Sequence, residues 1–260
     1  MKIKKLHFIS DKTLKASTYK KIILKKYKSY PPNIADVIVV IGGDGFMLQT
    51  LKKFQKYKKP FYGINRGSFG FLMNKIKKKV LENLSRSKVV IISPLQMQAI
   101  TKNNIKRNVI AINEVSLLRQ SKQTASLRIV NKKKVIIKKL VCDGILVSTP
   151  AGSTAYNSSV NGPILSLNSR KIVVTPISPF RPRKLKYKIL PTSSIIKIIN
   201  LNIKKRPISV VADNIEVRNV KSVKIVINKN IKFKLLYDKN SSLEKKISIE
   251  KLRNKVSSWS

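Results

Sequence analysis

From Val37 to Ile41 every side chain is apolar and β-branched, with no polar alternation. Such a run predicts a fully buried strand of a parallel sheet. It passes into Gly42, Gly43, Asp44 and Gly45, after which Phe46, Met47, Leu51 and Phe54 recur at helical spacing on one face. Ahead of it, Lys2 to Ile9 reads as a first strand. Asp11 to Lys28 reads as a helix, with Asp11 its N-cap and Leu14, Ile22 and Ile23 among its buried positions. Beyond it, Pro60 to Ile64 reads as a third strand, Asn65 to Met73 as a glycine-bearing loop and Lys75 to Leu84 as a helix. This β-α-β-α-β-α order predicts a small parallel sheet flanked by helices, with both glycine loops at the carboxyl ends of strands, where ligands gather.

The texture changes near Val89. Short strand-like runs follow at 89–92, 97–101, 108–118, 126–130, 135–140, 171–174, 195–199, 208–212, 223–227 and 231–236. Asn103-Asn104 and Asn131-Lys132 suit hairpin turns. The expected organisation is an α/β domain over 1–93 and a mainly β domain over 94–237. The tail, 238–260, returns to a helical pattern through Leu243, Ile247 and Leu252.

Composition changes this picture in one respect. The 260 residues include 56 Lys and Arg against 11 Asp and Glu, a formal charge of +45, which predicts adhesion to polyanions of any kind. The basic residues are scattered, without the aromatic interleaving of a nucleic-acid interface, so no specific nucleic-acid partner is expected. The scarcity of acids makes Asp44, Glu114, Asp143 and Asp213 informative. One cysteine, Cys142, and one histidine, His7, exclude an internal disulfide and a Cys/His zinc centre. Neither a signal-peptide core nor a membrane-spanning apolar run is legible, so a cytoplasmic location without a membrane partner is the expectation.

The chemistry concentrates in three places. The turn Gly42-Gly43-Asp44-Gly45 leaves backbone N–H groups and a helix N-terminus open to a phosphate. A carboxylate there conflicts with that anion unless a cation or a hydroxyl requiring a base intervenes. That conflict points to phosphoryl transfer, although Asp44 as a simple helix cap remains the alternative. Asn113 and Glu114 stand in the middle of a strand pattern, either half-buried for ligand hydroxyls or solvated at a strand end. The stretch Cys142 to Tyr156 joins a strand to a Gly-Ser-Thr turn and a helix start at Ser153 or Thr154. It suits close approach of a flat ligand, or again a capped helix.

Five blocks carry a resemblance: IGGDGFML at 41–48, NRGSFGFLM at 65–73, INEVSLLR at 112–119, DGILVSTPAGSTAYNSSVNGPI at 143–164 and VVADN at 210–214. Together they resemble the NAD kinases, which phosphorylate the 2′-hydroxyl of the adenosine ribose of NAD. Phe46 departs from the commoner Thr, Ala151 from a hydroxyl residue, and Asn161-Gly162 from Gly-Gly. The resemblance implies that Asp44 is the general base and that Gly42, Gly43 and Gly45 shape the phosphate-facing turn. It implies an NAD site drawn from Asp44, Gly45, Phe71, Leu72, Asn113, Glu114, Asp143, Ala151, Thr154, Ala155, Tyr156, Ser159 and Asp213. It also implies ATP or polyphosphate as donor, a divalent cation such as Mg²⁺, and a homodimer or homotetramer. The fold it implies is a three-layer α/β domain plus a β-sandwich-like domain, with the C-terminal segment packing back on the first. GGDG alone is shared with lipid and sugar kinases, but the block at 143–164 is not expected in them. No GxxxxGK[ST] or GxGxxG loop occurs.

Overall fold

The computed structural model describes residues 3–68, 70–76 and 80–238. The helical tail expected at 241–256 lies outside the described residues. The chain divides into two compact units, residues 1–92 with 231–260, and residues 93–230.

The first unit is built on a five-stranded sheet in the order Leu6–Ser10, Val37–Gly42, Phe61–Asn65, Phe233–Tyr237, Lys88–Ile92. The first four strands run parallel, and Lys88–Ile92 is antiparallel to its neighbour. All six residues of Val37–Gly42 are buried, as a strand covered on both faces requires. The helices Leu14–Leu24 and Asp44–Phe54 follow the first two strands, and a shorter helix, Val80–Ser85, precedes the last.

Three expectations change here. The sequence pattern places the strand at 231–236 in the β domain. That strand, Phe233–Tyr237, instead pairs with Phe61–Asn65 in the first sheet and buries Phe233, Leu235, Leu236 and Tyr237. Pattern identifies a strand but not a partner so distant in sequence. In the helix Leu14–Leu24, Ala16 and Ile23 are buried while Leu14 and Ile22 are exposed. Lysine-rich spacing leaves several equivalent apolar stripes, and contact with the sheet selects among them. Asp11 does not cap that helix; Thr13 holds the N-cap position, and Asp11 accepts the N–H of Lys12 instead.

The second unit is a pair of six-stranded antiparallel sheets. One runs Lys188–Pro191, Lys171–Ile177, Gly144–Ser148, Glu114–Arg119, Ile208–Ala212, Ile215–Val217. The other runs Lys106–Ala111, Leu95–Thr101, Val220–Ile227, Ile196–Asn200, Ala125–Asn131, Lys134–Cys142. Both sheets contribute to one apolar core that includes Leu95, Met97, Val115, Leu117, Ile129, Val147, Ile198 and Val223, the arrangement of a β-sandwich. Turns join the two expected hairpins, with Asn104 and Lys132 at positive φ. The run 108–118 is not one strand. It breaks at Ile112 and Asn113, where the chain leaves one sheet and enters the other. Among the described residues, no helix is long and apolar enough to cross a membrane.

Candidate active site

Asp44 opens the helix Asp44–Phe54 immediately after the buried strand, with Gly43 in extended conformation at the N-cap. Its carboxylate reaches the neighbouring loop, where Oδ2 accepts the N–H of Phe71 at 2.7 Å and Oδ1 that of Leu72 at 3.0 Å. A carboxylate in the first helical turn is also favoured by the helix dipole. The two glycine loops are tied further by the Arg66 N–H, donated to the Gly42 carbonyl at 2.9 Å. Gly70 packs so closely that an added Cβ would lie 2.8 Å from Met73 and 3.0 Å from Asp44 Oδ1. Gly45 is exposed, and nothing lies within 4 Å of where its Cβ would be. The side chains of Phe71 and Leu72 are buried. What these two residues present to Asp44 is their backbone N–H.

In the second unit, Asp213 is the organiser. It sits at φ 53°, a left-handed conformation that Asp tolerates, just after the strand Ile208–Ala212. Its two oxygens accept the N–H groups of Ile112 and Asn113 at 2.8 and 2.9 Å. Those bonds satisfy the backbone where the chain crosses between sheets. They also correct the placement of Asn113 and Glu114, which lie at the beginning of a strand rather than mid-strand. Thr149 braces the same junction, donating its hydroxyl to the Ile112 carbonyl at 2.7 Å and its N–H to the Asn113 carbonyl at 2.9 Å.

The result is a half-buried polar pair. Asn113 Oδ1 and Glu114 Oε2 are buried and accept no hydrogen bond from the described residues. Burial, and then the charge of Asp213, push the Glu114 carboxyl up to about 7. A buried acceptor without a donor is costly unless a ligand supplies one. Tyr156 belongs to the same neighbourhood: burial, and then the charges of Glu114 and Asp143, raise its phenol above the ordinary value. Asp143 is partly exposed and bonds through Oδ1 to Arg119 Nε at 2.6 Å.

Ala151, Thr154, Ala155 and Ser159 occupy the chain after the strand Gly144–Ser148. The expected Gly-Ser-Thr turn is a 3-10 turn, Gly152–Thr154, and the helix that follows is short, Tyr156–Ser159, and starts later than Ser153 or Thr154. Asn157 holds this segment from within. Its amide donates to the carbonyls of Ser153 and Pro163 and accepts from Thr175 Oγ1 at 2.7 Å. Ala151 is buried, whereas Ser159 is exposed. Cys142 is buried, and burial pushes its thiol up to about 12, outside any reactive range. Asp44, Gly42, Gly43, Gly45, Phe71 and Leu72 thus belong to the first unit, and the other site residues to the second.

Sequence reasoning missed Thr149, Asn157, Asn74 and Asp238 as site supports. Each has a partner far along the chain that no local pattern reveals: Ile112 for Thr149, Thr175 for Asn157, Leu236 for Asn74 and Tyr62 for Asp238.

Two family models match successive parts of the chain, the second running on through the strand Phe233–Tyr237 of the first unit. The ATP-NAD kinase N-terminal domain model matches residues 6–87, and the ATP-NAD kinase C-terminal domain model matches residues 112–241. The chain belongs to the NAD kinase family. The NAD kinase of Brucella suis is 44% identical over 253 residues, which cover 96% of this chain and 97% of that one. The NAD kinase of Zymomonas mobilis is 42% identical over 256 residues, 97% of this chain and 99% of the relative. Yeast NADH kinase, solved in complex with NADH, has the same fold at 21% identity and a TM-score of 0.80, covering 99% of this chain and 89% of that one. An NAD kinase from Archaeoglobus fulgidus, solved in complex with ATP, gives 22% identity and a TM-score of 0.74 over 96% of this chain and 99% of that one. The chain is therefore a phosphotransferase of the NAD kinase type, a family that uses ATP and NAD as substrates.

Proposed function

We propose that the chain transfers the terminal phosphoryl group of ATP to the 2′-hydroxyl of the adenosine ribose of NAD, with Asp44 as the general base. The observation that carries this assignment is the Asp44 carboxylate, fixed by two backbone N–H groups beside a glycine turn at a helix N-terminus. A ribose hydroxyl is a poor nucleophile at neutral pH. As its oxygen attacks the terminal phosphorus, its proton passes to Asp44, the bond to the ADP oxygen breaks, and ADP leaves with the electron pair. Each carboxylate oxygen can accept more than one hydrogen bond, so the N–H groups that orient Asp44 do not preclude a hydroxyl. The N–H groups around Gly42, Gly43 and Gly45 face the donor phosphates.

Asn113 and Glu114 accept ribose hydroxyls, which would supply the donors that their buried oxygens lack. Tyr156 covers the adenine, and Asp143, Ala151, Thr154, Ala155, Ser159 and Asp213 complete the site, with Asp213 acting through the backbone it braces. A divalent cation such as Mg²⁺ would neutralise charge on the transferring phosphoryl group. Among the described residues no three His, Cys, Asp or Glu side chains cluster in a way that could hold a metal ion. The working form is a cytoplasmic homodimer or homotetramer. The test is NADP formation by the purified protein, crossing NAD or NADH with ATP or polyphosphate. NADP from NAD and ATP is expected, and its absence would overturn the proposal.

A further inference from the structure

Asn74 is fully buried, directly after the apolar run Phe71-Leu72-Met73. Packing alone would be served as well by another apolar residue. An amide in that position loses its hydration and must be bonded. Every one of its hydrogen-bonding groups is used. Its N–H donates to the Gly63 carbonyl at 2.8 Å, and its own carbonyl accepts the Asn65 N–H at 2.8 Å, which closes the 65–74 loop at its base. Its side chain reaches a different part of the sequence. Nδ2 donates to the Leu236 carbonyl at 2.9 Å, and Oδ1 accepts the Asp238 N–H at 3.0 Å. The Asp238 side chain is fastened in turn by the Tyr62 hydroxyl, which donates to Oδ1 at 2.8 Å.

The same loop carries the two N–H groups that hold Asp44. Between Asn65 and Asn74 the chain is pinned at its base by Asn74 and near its exit by Asp44, with Phe71 and Leu72 only three and two residues from Asn74. We infer that Asn74 is a positioning residue for Asp44: by fastening the loop exit to residues 236–238, it sets the Phe71 and Leu72 N–H groups against the carboxylate. Asp44 would then owe its orientation to the end of the strand Phe233–Tyr237 as well as to its own glycine turn. This rests on Asp44 being the base.

The test compares Asn74→Ala, Asn74→Ser and Asp238→Asn with the wild-type full chain. Amide exchange followed by NMR reads the loop directly. In Asn74→Ala the Phe71 and Leu72 amides are expected to exchange about tenfold faster or more, while those of Val39 and Val40 in the buried strand keep wild-type rates. Loss of alignment at the reacting centre is expected to lower kcat about 10²-fold. KM for NAD and for ATP should change less than about threefold, the split that separates positioning from substrate binding. Asn74→Ser, whose hydroxyl can restore one bond, should recover part of kcat. Asp238→Asn keeps the backbone donor to Asn74 and should retain most of it. If Asn74→Ala fails to fold, the serine variant carries the same comparison. Faster exchange at Phe71 and Leu72 with wild-type kcat would overturn the inference, as would a fall in kcat matched by equally faster exchange at Val39 and Val40. An active Asp44→Asn enzyme would remove the premise instead, leaving the exchange result intact.

Discussion

Glu114 combines a proposed role in NAD binding with a penalty. Its carboxyl, raised to about 7 by burial and then by Asp213, ionises near its ordinary value of 4.5 once the chain unfolds. Between those two values the folded protein keeps a proton that the unfolded chain has released. Stability from this group is therefore complete below about pH 4.5 and is lost as pH rises through 7. Glu114→Gln cannot ionise, so at pH 8 it should be more stable than the wild type by up to about 3 kcal/mol. The difference should shrink as pH is lowered toward 4.5, as urea denaturation at several pH values would show. The same variant should bind NAD more weakly by roughly 1.5–3 kcal/mol, having lost a charged acceptor, with ATP affinity unchanged. Calorimetry giving unchanged NAD affinity would remove Glu114 from the site. Asp44 and Glu114 were legible in the sequence because acids are scarce there and each stands beside its motif. Asn74 was not, because its side-chain partners, Leu236 and Asp238, are 162 and 164 residues away.

At the level of elements, the junction at 112–113 and the turn after Ser148 form one device. A Cβ added to Gly152 would meet the Asn113 carbonyl oxygen at 2.2 Å and its carbonyl carbon at 2.4 Å. Both are backbone atoms, held in place by Asp213 and Thr149, so they cannot give way cheaply. Gly152→Ala should therefore destabilise the protein by about 1–3 kcal/mol. It should also weaken NAD binding, since the displaced residue is Asn113. Wild-type urea midpoint and NAD affinity in this variant would contradict the placement of the turn. The sequence motif marked this turn correctly, but its periodicity ran Asn108 to Leu118 together as one strand. Apolar, strand-forming residues resume directly after Asn113 and Glu114, and only the Asp213 bonds, made from about 100 residues further along the chain, reveal the change of sheet. The strand Phe233–Tyr237 was misplaced for a related reason: its apolar run is equally compatible with either unit.

For the whole molecule, the formal charge of +45 competes with the site as an explanation of function. The two make different demands on salt. Adhesion to DNA through dispersed lysines should be indifferent to sequence and should fade steeply as salt rises, because counterion release dominates it. Phosphoryl transfer should persist over the same range, since backbone N–H groups at short range are screened far less than exposed charges. One salt titration following DNA retention and NADP formation in parallel decides this. Sequence-selective DNA binding that outlasts kinase activity would reverse the ranking.

The most direct measurement of the central claim is the rate of NADP formation from NAD and ATP by the wild type and by Asp44→Asn. The wild type should turn over. The variant should fall roughly 10²–10⁴-fold, the usual effect of removing a general base. The amide keeps an acceptor at only one of the two positions now bonded to the Phe71 and Leu72 N–H groups and presents an NH2 donor at the other. Part of the loss is therefore expected to come from the loop. An Asp44→Asn variant that folds and forms NADP at near wild-type rate would contradict the account, and so would a wild-type protein that forms none.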